Sequence, residues 1–363
     1  MTEIWTIEMS QDLERMAEIA ESVESHGWDG MHVTDSQNRS PEPYVALTVA
    51  ALATTRLGLG IGVSNPTTRH PALAAASAAS VQRISNGRMT LTIGRGDSSA
   101  AQIGGGPATL KYFERYVRAL RRYLNREPLT LEEAHQFLVG SVPSIDSLGL
   151  AGNPLNSSLG WLRESDPAVP LEITGSGAKV LAIASRVGER AMVAVGADPE
   201  RVDWAVTTVR ALGERPVGAF VNVVAHDDPA VARRLIRGVL ASTARFSVMH
   251  GVVNGPADSD SQKVLSSIHS NYDMNGHGTA GSHQSAGISD RFVATHGIAG
   301  TPEECVRRLR ELEELGISKF VVFPVGRRAD AVEAERARTI LDNEVVPFFS
   351  NALRKPASEL SHQ

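Results

Sequence analysis

Cysteine is nearly absent. Cys305 is the single one in 363 residues, which excludes an internal disulfide framework and any multi-thiolate metal site. It falls in the helical pattern 302–315, where it reads as a small core residue. Charge of one sign is also scarce. The formal net charge is -5, with no basic excess to track a phosphate backbone and no long single-sign run. No apolar run approaches the roughly 18–20 residues of a membrane span. The stretch Met1-Thr2-Glu3-Ile4-Trp5 lacks the basic and apolar regions of a signal peptide. These absences lead us to expect a cytoplasmic protein that binds neither nucleic acid nor membrane. Several motifs are missing too: there is no GxxxxGK[ST], no HExxH and no GxSxG elbow.

What is present is an alternation of strand and helix. Short apolar runs at 4–8, 30–34, 57–63, 89–93, 171–174, 191–195, 217–224 and 319–323 read as strands. Helical spacing follows them at 12–26, 43–54, 71–84, 112–124, 178–186, 199–212, 229–248 and 329–347. A further helix at 302–315 precedes the last strand and opens on Thr301-Pro302-Glu303-Glu304. Alternation implies a parallel sheet with helices outside. Eight such units over this length favour an α/β fold closed into a (β/α)8 TIM barrel. The expected organisation is a single barrel over 1–352 and a tail at 353–363. Two irregular excursions, 125–166 and 250–287, interrupt it as insertions.

In such barrels chemistry sits at the C-terminal ends of the strands. The second strand runs into Asp35 and the fourth into Gly94-Arg95-Gly96-Asp97, so both carboxylates should face one mouth. Either could serve as proton donor or substrate anchor, or simply close a turn. Gly175-Ser176-Gly177 opens a helix directly after a strand, where backbone N–H groups and the helix dipole suit a phosphate. An ordinary βα turn has the same composition. Arg69 could hold an anionic ligand or pair with a helix end. The run Gly58-x-Gly60-x-Gly62 is no dinucleotide fingerprint, because it lies within a strand. His269, His277, His283 and His296, with Tyr272 and Asp273, fit no zinc spacing. No metal site is expected, and 250–287 reads as a substrate-side loop.

Gly62-Val63-Ser64-Asn65-Pro66-Thr67-Thr68-Arg69-His70-Pro71 resembles the third-strand signature of the bacterial luciferase-like superfamily, in the branch that contains methylenetetrahydromethanopterin reductase. Ser85-Asn86-Gly87-Arg88, Gly94-Arg95-Gly96-Asp97 and Gly300-Thr301-Pro302-Glu303-Glu304 support the likeness. The resemblance implies FMN or the deazaflavin coenzyme F-420 at the barrel mouth. It implies a non-prolyl cis peptide at Gly62–Val63 in the third strand, backing the flavin ring. Cofactor contacts are then expected from Gly62, Val63, Ser64 and Asn65, from Thr174, Gly175, Ser176 and Gly177 at the phosphate, and from Val195 and Gly196. It also puts Asp35 and Asp97 near the reactive ring edge as catalytic groups. One departure stands out: many deazaflavin enzymes carry Asp-His after the second strand, where this chain has Asp35-Ser36.

The expected activity is hydride transfer between coenzyme F-420 and a small organic substrate. An FMN-dependent monooxygenase using oxygen is the alternative, and a non-catalytic flavin-binding barrel a third. Family members are usually dimers, so a homodimer or higher homo-oligomer is expected. The Ala-rich helices at 43–53 and 71–79 are small enough to pack against a partner.

Overall fold

Strands buried on both faces carry unbroken apolar runs, and this chain has them. Val217–Ala225 is buried at every position. The computed structural model describes residues 2–9, 12–323 and 325–353. Of the expected tail, 354–363 lie outside the described residues, as does Met1. The strands are β1 (Glu3–Glu8), β2 (Gly30–Val33), β3 (Gly58–Ile61), β4 (Met89–Ile93), β5 (Leu171–Gly175), β6 (Arg190–Val193), β7 (Val217–Ala225), β8 (Ile298–Gly300) and β9 (Ile317–Phe323). Parallel pairing runs β1-β2-β3-β4-β5-β6-β7-β9 and returns to β1, closing an eight-stranded barrel. Helices pack outside, as the alternation predicts.

The ninth strand was not legible. β8 is three residues long and pairs only with the overhanging end of β7, Val223–Ala225. A run that short carries no periodicity. The excursion at 250–287 is also not wholly irregular, for Ser259–Ser270 is a helix. Asp258 caps its first turn, and Ser261, Val264, Leu265 and Ile268 form its buried stripe. Polar residues on its other face hid it among the surrounding Gly and Ser.

The barrel interior explains the alternating glycines. Trp5, Ile7, Met192, Phe220 and Val321 fill it, and His32 sits edge-on to Trp5 with ring centres 5.2 Å apart. A Cβ on Gly58 would lie 2.6 Å from Trp5, and one on Gly60 would lie 2.4 Å from His32. Two inward glycines in β3 therefore make room for two large rings. Below them Glu172 is the centre of a buried polar cluster. It accepts from Lys319 Nζ at 2.9 Å and from Thr92 Oγ1 at 2.9 Å, and Arg190 lies 3.2 Å away.

Candidate functional site

The mouth is built where each strand hands over to its loop. β3 ends at a cis peptide between Gly62 and Val63. Gly94, at the end of β4, has no side chain, and a Cβ there would lie 3.0 Å from Thr174 Cγ2 and 3.4 Å from Val63 Cγ1. Val63, Gly94 and Thr174 thus form a continuous floor across three strands. Thr174 Oγ1, and Asn222 Nδ2 on β7, are buried and have no hydrogen-bond partner among the described residues. Asn222 takes a hydrogen bond from Thr243 through its other amide atom. Leaving such groups unpaired costs on the order of 1–3 kcal/mol each, so they point to a ligand that pairs them.

Beside this floor, Gly175-Ser176-Gly177 opens the helix Ala178–Val187. Side chains cap the helices beginning at Pro43, Pro71, Pro199, Pro229 and Pro302. The helix at Ala178 has Gly177 at its N-cap and no side-chain acceptor. Its first N–H groups are left for an anion. Ser176 spends its hydroxyl on the carbonyl of Phe246 at 2.5 Å, so its backbone, not its side chain, faces that position. Gly196 holds φ at +82°, and a Cβ would meet the His296 carbonyl at 3.0 Å. Val195 is buried. Its side chain lies in the core beneath the helices and its carbonyl is taken by Arg201.

Asp35 and Asp97 stand at the ends of alternate strands, as expected, and each is engaged by an arginine. Asp35 is buried. Its Oδ2 accepts from Arg69 at 2.8 Å and from Ser64 at 2.9 Å, and its Oδ1 from Gln37 at 2.8 Å. Burial pushes its carboxyl up, against the pull of Arg69 and these hydrogen bonds. Arg69 also grips Glu42, the cap of the next helix, at 2.5 Å. Of the two uses open to Arg69, the structure therefore shows the structural one. Ser64 reaches Asp35, and Asn65 Oδ1 organises its own turn by accepting from Thr67 and Thr68. These two shape the mouth and do not line its floor.

Asp97 takes both terminal nitrogens of Arg245, from the segment after β7. The Arg245 guanidinium lies 4.6 Å over the ring of Tyr272, and Tyr272 Oη is 2.5 Å from His277 Nδ1. Arg39, after β2, donates to the carbonyls of Met274 and His277. Arg327, after β9, donates to the His277 carbonyl, and Gly278 N–H donates to Ser242. Residues 272–278 are thus held as a strap from three places on the rim: the loop after β2, the helix and turn after β7, and the loop after β9. Tyr272 and His277 were visible in the sequence only as parts of a His-rich stretch. Arg245, Asn222 and Thr243 gave no signal there, since strand and helix patterns do not reveal which side chain turns over the rim. Among the described residues no group of three or more His, Cys, Asp or Glu side chains could hold a metal ion, and no helix is long and apolar enough to cross a membrane.

The sequence profile of the luciferase-like monooxygenases matches residues 2–319. A 5,10-methylenetetrahydromethanopterin reductase of Methanolobus tindarius is 25% identical over 341 residues, covering 92% of this chain and 95% of its own. Among solved structures, the coenzyme F-420-dependent tetrahydromethanopterin reductase of Methanopyrus kandleri superposes with a TM-score of 0.68 at 18% identity, over 96% of this chain and 99% of that one. A monooxygenase of Streptomyces bottropensis gives 0.65 at 17% identity, over 96% and 99%.

Proposed function

The chain belongs to the luciferase-like monooxygenase family of oxidoreductases, and we propose that it transfers hydride between coenzyme F-420 and a small organic substrate. The observation that carries this reading is the floor of Val63, Gly94 and Thr174 beside an uncapped helix end. A flat ring fits the first and a phosphate the second. The relatives named as methylenetetrahydromethanopterin reductases, with the solved reductase named as coenzyme F-420-dependent, support a deazaflavin over a flavin.

The residues present fit the group. Val63 would back the ring, and the absent side chain at Gly94 leaves room for it. Thr174 Oγ1 and Asn222 Nδ2 would gain hydrogen bonds they lack in the protein alone. The N–H groups following Gly177, helped by Gly175 and Gly196, would hold the phosphate. When bound, the deazaflavin supplies a two-electron hydride chemistry that the side chains alone do not possess. Asp35 and Asp97 fix negative charge at the edge of the floor, each oriented by its arginine. The strap 272–278 excludes water from the mouth.

Fluorescence titration with purified coenzyme F-420 and with FMN tests this. Micromolar binding of F-420 is expected. Micromolar FMN binding without F-420 binding overturns it and favours the oxygen-using monooxygenase. Reduced F-420 bound without turnover of any ketone, imine or N-heterocycle favours the non-catalytic barrel. We also propose a homodimer through the Ala-rich helices Pro43–Ala53 and Pro71–Ile84, whose Val45, Leu52 and Leu73 are 51%, 75% and 56% exposed. Light scattering after gel filtration would return a monomer mass if this is wrong.

A further inference from the structure

Reduction of a carbonyl needs a proton as well as a hydride, and the residue after Asp35 is Ser36, which is no general acid near neutral pH. Both mouth carboxylates are committed as acceptors. Asp35 receives Arg69, Ser64 and Gln37, and Asp97 receives both terminal nitrogens of Arg245. The strap holds a different proton-bearing pair. Tyr272 Oη and His277 Nδ1 are 2.5 Å apart. Ser242 also hydrogen-bonds Tyr272, which leaves the phenol proton free to point at Nδ1; in the tautomer that accepts it, the ring proton is on Nε2. His277 Nε2 has no hydrogen-bond partner among the described residues, and it is not one of the fully buried unpartnered atoms.

We propose that Tyr272 and His277 form the proton relay of this site, with His277 Nε2 as the group that touches the substrate. This rests on the hydride-transfer reading above. Hydride supplied by reduced deazaflavin forms the new C–H bond at the carbonyl carbon, and the C=O π pair moves to oxygen. That oxygen takes the proton from Nε2, while Nδ1 takes the proton from Tyr272 Oη. The pair ends as neutral imidazole and phenolate, and solvent reprotonates the phenolate. Burial pushes the Tyr272 phenol up to about 12, and Arg245, facing the ring at 4.6 Å, offsets part of that cost for the phenolate. Burial, with Arg39 and Arg245 nearby, lowers His277 to about 4 and so keeps it neutral before the step. The charged groups that act most on the pair are Arg39 from the β2 loop, and Arg245 and Asp97 across the rim.

The experiment compares His277→Gln and Tyr272→Phe with the parent on two kinds of acceptor, ketones and N-alkylpyridinium or iminium cations. The cations need hydride and no proton. Expected is a loss of at least about 100-fold in kcat on ketones for His277→Gln, in line with a general acid. Tyr272→Phe should lose about 10-fold on ketones. Rates on the cations, and the F-420 dissociation constant read by fluorescence, should stay within about 2-fold. His283→Gln, exposed on the same segment, is the control expected to match the parent. Equal losses on both acceptors, or ketone rates unchanged in His277→Gln, overturn the relay while leaving hydride transfer standing. A parent that binds F-420 and reduces neither class overturns hydride transfer, and the relay with it.

Discussion

Arg245 holds Asp97 by both terminal nitrogens, joining residues 148 positions apart in the chain. The two side chains are 16% and 9% exposed, so the pair is largely shielded from solvent. Removing one member leaves the other buried and uncompensated. Asp97→Asn and Arg245→Met should each lose about 2–3 kcal/mol, somewhat less than the 3–5 typical of a fully buried pair. Urea unfolding of both singles and the double should show the double far less destabilised than the sum.

Gly94→Val should damage the ligand and spare the fold. The new side chain would enter the floor between Val63 and Thr174, where a Cβ already lies 3.0 Å from Thr174 Cγ2. F-420 affinity is expected to fall by at least about tenfold, or 1.4 kcal/mol. Retained affinity with this variant would remove the floor from the cofactor site.

Gly60→Ala tests the barrel interior. Its methyl would lie 2.4 Å from His32 Cδ2, and overpacking of this kind costs about 1–3 kcal/mol. His32→Ala relieves the clash but opens a cavity. The double variant should therefore be more stable than the sum of the singles predicts, by about 1 kcal/mol or more. Thermal unfolding monitored by circular dichroism would show it.

Glu172→Gln should be among the most costly single changes. Lys319 is 1% exposed, and Glu172 accepts from it at 2.9 and 3.2 Å. Without the carboxylate its ammonium keeps the face of Trp5, 3.6 Å away, the charge of Glu3 and at best a neutral amide oxygen. A loss of about 3–5 kcal/mol is expected by denaturant titration. Glu172→Gln with Lys319→Met should recover much of it.

Acid should weaken the fold in a defined window. Burial lowers His277 to about 4 and His296 to about 3, against an ordinary value of 6.5. Both prefer to be neutral when folded. Below pH 6.5 the unfolded chain takes up their protons and the folded chain does not, so stability falls as pH drops from 6.5 toward 4. Above 6.5 both are neutral in either state and contribute no slope. His277→Gln should lose roughly 2 kcal/mol less than the parent across that window. Equal losses in both proteins would show that His277 is not buried as a neutral ring.

The sequence by itself determined the barrel. Eight apolar runs separated by helical spacing are local signals, and parallel closure is nearly their sole economical arrangement. It also marked the mouth positions proposed to hold a ligand, because Gly62, Gly94 and Gly175-Ser176-Gly177 stand where their strands end. Tertiary structure decided what those residues do. Only across the closed barrel do Gly58 and Gly60 meet Trp5 and His32, so a glycine run that resembled a failed motif is a packing device. Only across the mouth does Arg69 claim Asp35 and Arg245 claim Asp97. The same holds for Tyr272 and His277, five residues apart in a segment that looked irregular. Periodicity reports which face of an element is buried. It carries no information on which distant charge will lie opposite, since that depends on rim geometry set by the whole barrel.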